Sequence, residues 1–136
     1  MINETGRHAI KAVVTLARHP EGVHQGAKAI AEEIKAPANY LGKLLQQLAN
    51  EGLLISTKGR GGGFALARPA SNITLFDILD PIQHLSRERQ CILGWKKCSN
   101  TKPCAMHHAY TPIREKIETL YQDTTIADVL NGAIIE

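Results

Sequence analysis

Residues 37–68, PANYLGKLLQQLANEGLLISTKGRGGGFALAR, decide the fold. Leu41, Leu44, Leu45 and Leu48 recur at i, i+3, i+4 and i+7, which is the spacing of one apolar helix face. Pro37 sits near the first position, where a missing N–H costs nothing, and Gly52 sits where a left-handed residue ends a helix, so the helix runs to about Asn50. The opposite stripe, Asn39, Lys43, Gln46 and Asn50, is made only of hydrogen-bonding side chains. Immediately afterwards, 53–57 and 64–67 are short apolar runs around KGRGGG at 58–63, which predicts a β-hairpin with a flexible cationic tip.

Working back from this stretch, residues 26–34 suit a second helix with Ala29, Ile30 and Ile34 inward and Lys28, Glu32 and Glu33 outward, joined by the KAP turn at 35–37. Two short helices around a tight turn, the second polar on its outer face, make a helix-turn-helix, and the hairpin makes its wing. Ahead of them, Ala9, Ile10, Val13, Val14, Leu16 and Ala17 predict an amphipathic helix over 4–18, stopped by His19, Pro20, Glu21 and Gly22.

Working forward, 71–79 predicts a short helix with Thr74 as N-cap and Asp77 three residues on, broken by Pro81. Further on, Met106, Tyr110, Ile113, Ile117 and Leu120 are spaced four, three, four and three apart. That narrow heptad seam calls for a partner helix, supplied by a second copy of the chain. Pro112 either kinks this helix or starts it, with Thr111 as N-cap. Residues 125–130 suit a last short helix capped by Thr125. The expected architecture is mainly α with a small β-wing. It places a winged helix-turn-helix domain in 1–80, a cysteine loop in 81–104, and a long dimerisation helix with a short C-terminal helix in 105–136.

The loop QCILGWKKCSNTKPCAMHHA at 90–109 holds every cysteine, Cys91, Cys98 and Cys104, with His107 three residues after the last. Its polar neighbours Lys96, Lys97, Ser99, Asn100, Thr101, Lys102 and Pro103 would make a poor core, so these thiols are expected to bind a metal rather than pack as small hydrophobes. Three Cys and one His also form a closed tetrahedral zinc set, although the usual short spacing is absent, and the donor chemistry leaves zinc and iron both open. The start of the chain lacks a secretory pattern, and no window approaches a membrane span. The expectation is a cytosolic protein with no membrane partner, where clustered thiols favour metal binding or redox sensing over a disulfide. A net charge of +3 is mild, but between 35 and 68 Lys35, Lys43, Lys58, Arg60 and Arg68 face a single acid, Glu51.

With wing and cysteines placed, the chain resembles the IscR, NsrR and RirA group of bacterial winged-helix iron–sulfur regulators, the Rrf2 family. The resemblance is carried by GRHAIKAV at 6–13, NYLGKLLQQLANEG at 39–52, KGRGGGFALARPAS at 58–71 and C-x6-C-x5-C-x2-H from Cys91 to His107. It implies a homodimer on a palindrome-like double-stranded operator, with an iron–sulfur cluster, [2Fe-2S] or [4Fe-4S], controlling affinity. It also implies that the cluster is held by Cys91, Cys98 and Cys104, with His107 as the non-cysteine fourth ligand. The first cysteine gap is one residue longer than the five-residue gap of IscR, and Gly42 stands where IscR has a glutamate tied to DNA selectivity.

The candidate DNA contacts are Lys28, Asn39, Tyr40, Lys43, Gln46, Lys58 and Arg60. The signal expected is redox state, nitric oxide or iron supply; the alternative is a zinc-stabilised DNA-binding protein without a sensing role. An enzyme with a small-molecule substrate is not expected, because no oxyanion donors or orienting acid accompany the Cys and His. A nucleotide site at the wing is not expected either: Phe64 and Ala65 follow the glycines, where a Walker loop needs Lys and Ser or Thr.

Overall fold

Asn3 starts the first helix by accepting the Gly6 N–H on its side-chain oxygen at 2.8 Å, and α1 (Glu4–Ala17) buries Ala9, Ala12, Val13, Val14, Thr15 and Leu16. The structure, a computed structural model, describes residues 1–85, 91–94 and 99–132. Helices α2 (Ala27–Ile34) and α3 (Ala38–Asn50) pack together across the KAP turn. Lys35 ends α2 in the left-handed region at φ +59°, with its N–H on the Ala31 carbonyl. All four predicted leucines of α3 are buried, Leu41, Leu45 and Leu48 completely. In α2 the inward residues are Ile30 and Ala31, whereas Ala29, expected inward, is exposed. With only two turns in the helix, the angle at which α1 and α3 cross it, more than the sequence spacing, decides which alanine is covered.

Gly52, at φ +82°, reverses the chain into β1 (Leu54–Thr57), which pairs antiparallel with β2 (Gly63–Leu66) in the register Leu54↔Leu66 and Ser56↔Phe64. Gln25, in the α1–α2 connection, joins this ladder: its N–H donates to Phe64 O at 2.9 Å and its O accepts from Phe64 N–H at 2.8 Å.

After a 3-10 turn at Ala70–Asn72, α4 (Leu75–Gln83) opens on the predicted capping box. Thr74 Oγ1 accepts the Asp77 N–H, and Asp77 Oδ2 accepts the Thr74 N–H, each at 3.0 Å. The expected break at Pro81 does not occur. Proline removes one N–H and its ring crowds the carbonyl four residues back, but only Ile82 and Gln83 follow before His84 closes the helix at φ +57°. Gln47 Nε2, from α3, donates to the Pro81 carbonyl at 3.0 Å.

Helix α5 (His107–Asp123) passes through Pro112 instead of starting there. Thr111, the candidate cap, donates its hydroxyl to the His107 carbonyl at 2.6 Å. The chain then returns: Ile126 N–H donates to Ile73 O at 2.8 Å, and α6 (Ile126–Asn131), with its own Thr125–Asp128 capping box, packs on α1. Ile126 is wholly buried in the core formed by Val13, Ile30, Leu41, Ile73 and Ile78. The short helix grouped with α5 in the sequence thus closes the N-terminal core. Among the described residues no helix is long and apolar enough to cross a membrane.

Candidate nucleic-acid interface and ligand loop

The leucines of α3 face the core, so the helical period turns Asn39, Lys43, Gln46 and Asn50 outward, and all four are exposed. Gln46 is pre-oriented: its Nε2 donates to Asn50 Oδ1 at 3.1 Å and its Oε1 accepts from Ser56 Oγ of β1 at 3.4 Å. Strand β1 therefore lies beside the polar face of α3. Lys28, Lys43, Lys58 and Arg60 are exposed, leaving their cations available to an anionic partner. Arg68 differs, its Nη2 lying 3.4 Å from Asp77 Oδ2. Tyr40 is half-buried; its hydroxyl lies 3.3 Å from His8 Nδ1 of α1 and the two rings meet edge-on, their centroids 5.6 Å apart.

Cys91 is buried, Cys104 half-buried and His107 buried, while Trp95, Lys96, Lys97 and Cys98 lie outside the described residues. Neither described cysteine is in a disulfide. Cys104 and His107 share one turn, with the His107 N–H on the Cys104 carbonyl at 3.1 Å, just where α5 begins. His107 Nε2 lies 2.8 Å from Asn100 Oδ1; an amide oxygen only accepts, so Nε2 donates to it. Among the described residues no three His, Cys, Asp or Glu side chains are grouped to hold a metal ion. The residue types, two cysteines outside any disulfide and an imidazole, suit a soft or borderline metal, with Cys98 as the further thiol of the loop.

Along α5 the predicted seam is half-exposed: Met106 is 42%, Ile113 53% and Leu120 60% exposed, with Tyr110 and Ile117 intermediate. Burial of the Tyr121 hydroxyl, reinforced by neighbouring Tyr110, raises its pKa above the ordinary 10.0.

Sequence reasoning missed the contacts that hold these groups. Asn100 on His107, Ser56 on Gln46 and His8 on Tyr40 are single side-chain contacts with no periodicity to reveal them. Gln25 in the ladder is one bridging residue between glycine-flanked turns, too short to read as a strand.

The comparisons with known proteins agree with this geometry. The family model for Rrf2, an iron-dependent transcriptional regulator, matches residues 2–132. A protein of Aquifex aeolicus described as an HTH-type transcriptional regulator is 31% identical over 133 residues, covering 96% of this chain and 92% of its own. The HTH-type transcriptional regulator IscR of Yersinia pseudotuberculosis is 25% identical, covering 96% of this chain and 79% of its own. Among solved structures, CymR, the global cysteine regulator of B. subtilis, superposes with a TM-score of 0.79 at 22% identity over 98% of both chains. The chain belongs to the Rrf2 family and is a DNA-binding transcriptional regulator rather than an enzyme.

Proposed function

We propose that the protein is a homodimeric, sequence-specific regulator whose hold on a double-stranded operator depends on an iron–sulfur cluster at Cys91, Cys98, Cys104 and His107. The single observation that carries this reading is the junction at His107. A buried imidazole, one turn from a cysteine, is the first residue of the helix that bears the half-exposed seam. Whatever holds Cys104 and His107 therefore sets where α5 begins. That helix packs on α4, and the chain beyond it re-enters the core of the reading domain through Ile126. A shift at the ligand loop thus alters how one protomer's α3 is held relative to its partner's. Half-sites lie about one DNA turn apart, so small changes in that spacing change affinity.

When bound, the cluster supplies a thiolate-ligated anchor whose charge and persistence follow redox state, nitric oxide or iron supply. The chain supplies the rest. Asn39, Lys43 and Gln46 meet base edges in the major groove, with Tyr40 beside them braced on His8, while Lys28, Lys58 and Arg60 neutralise phosphates.

Zinc is the second reading, favoured by a donor set of three thiols and one imidazole that would close a tetrahedron without any sensing role. Purification without oxygen, with iron, sulfide and zinc counted and the visible spectrum recorded, separates the two. The expected preparation is coloured and contains iron and sulfide. Operator affinity, measured by anisotropy, is expected to differ between holo and metal-stripped protein. A colourless zinc protein, or equal affinities on every promoter fragment, would overturn the sensor reading.

A further inference from the structure

The α1–α2 connection does more than join two helices. Gln25 pairs with Phe64, and Phe64 pairs with Ser56, so three segments lie side by side at the base of the wing. Side chains alternate across such a ladder, which puts the neighbours His24 and Thr57 together on the opposite face. There His24 Nε2 lies 3.1 Å from Thr57 Oγ1, and His24 Nδ1 lies 3.2 Å from the carbonyl of Gly22. A carbonyl can only accept, so Nδ1 donates to it, and in that tautomer of the neutral ring Nε2 accepts from the Thr57 hydroxyl. Thr57 is the last residue of β1, and Lys58 follows it directly. Close approach is enforced at the same place: a Cβ on Gly63, the partner of Thr57, would stand 2.4 Å from the Gln25 carbonyl oxygen.

We infer that His24 is a positioning residue for the wing, clamping the end of β1 through Thr57 so that Lys58 and Arg60 are held at the height of the α3 reading face. It acts through Thr57 and touches no DNA itself. The clamp matters because the wing tip has little else to stiffen it. Four of the six residues in 58–63 are glycine, and both cations are exposed. Freezing a glycine-rich tip only on binding costs conformational entropy that a pre-set wing has already lost.

This inference rests on the reading of Lys58 and Arg60 as phosphate contacts, and the test separates the two. Binding is measured by anisotropy across a salt series, using a labelled duplex selected from a random-sequence pool by the wild-type protein. The K58A/R60A variant is expected to shallow the dependence of log K on log salt by roughly 2, one counterion for each cation. If it leaves the slope unchanged, the phosphate reading fails, and the clamp has nothing to position. Given that effect, H24A and T57V should each weaken binding about three- to tenfold and shallow the slope by about 1. T57S, which keeps the hydroxyl, should bind as wild type does. In the K58A/R60A background, H24A and T57V should then change affinity less than about twofold, because the groups they position are gone. Equal losses in both backgrounds, or a T57S as weak as T57V, would overturn the clamp. T57V replaces an exposed side chain by one of the same shape, which keeps the test clear of unfolding.

Discussion

Replacing Gly63 by alanine tests the way the wing is seated. The added Cβ would lie 2.4 Å from the Gln25 carbonyl oxygen, 2.5 Å from its carbon and 2.8 Å from the Gly26 nitrogen. All three are backbone atoms, so no rotamer change relieves the clash, and φ at this position is +133°, where an L side chain is strained. The residue must rotate or β2 must move off the α1–α2 connection, breaking the two Gln25–Phe64 hydrogen bonds at 2.9 and 2.8 Å. Backbone strain costs about 1–3 kcal/mol and the two bonds about 0.5–1.5 kcal/mol each, for a total of about 2–6 kcal/mol if neither is recovered. For a domain of this size that is a fall of roughly 7–20 °C in melting temperature. The control is Gly61→Ala, at φ +71° with nothing within 4 Å of the added atom, which should lose only about 1 kcal/mol of strain energy. Thermal unfolding followed by circular dichroism reads both. A Gly63→Ala protein that melts with the Gly61→Ala control would refute the close approach, and with it the third segment of the ladder.

Other consequences follow from particular contacts. Thr74→Ala removes the acceptor for the Asp77 N–H and should lower stability by about 1 kcal/mol in urea titration, while Thr74→Ser should not; an unchanged midpoint would mean the cap contributes nothing. The Tyr121 phenol should ionise above pH 10.0 in an ultraviolet titration, and Tyr110→Phe should lower that value only in part, since burial is the larger cause. Because the folded pKa is the raised one, this group's contribution is complete below pH 10.0 and is lost as pH rises through the folded value; stability rising over that range would contradict it. Ile113→Asp and Leu120→Asp alter side chains that are 53% and 60% exposed, so each variant should stay folded while light scattering, which should report a dimer for the wild type under the proposed function, reports monomers; a variant as dimeric as the wild type would overturn α5 as the proposed interface.

What could be read in advance had local causes. Leu41, Leu44, Leu45 and Leu48 declare a helix face within two turns, the box Thr74–Asp77 is closed by residues three apart, and Thr125 caps the residues that directly follow it. The break expected at Pro81 and the alternative helix start at Pro112 failed because a lost hydrogen bond is weighed against packing that the neighbouring residues do not reveal: α4 continues to Gln83 against α1 and α3, and α5 continues through Pro112. For the candidate site, the cysteine spacing and His107 were legible as chemistry. The burial of His107 and its bond to Asn100 were not, since a polar side chain in a loop carries no pattern.

The order of helices, the hairpin with its cationic tip, the clustering of cysteines and His107 in one loop and the apolar stripe of α5 were determined by the sequence alone. Each is written in residue type and spacing over at most a few turns. The tertiary structure alone decided that Gln25 joins the wing, that α6 returns to bury Ile126 beside Ile73, and that Ser56 steadies Gln46. These contacts join residues far apart in the chain or one side chain at a time. The closing of loops and the exclusion of water from a shared core select them, and neither leaves a periodic mark on the sequence.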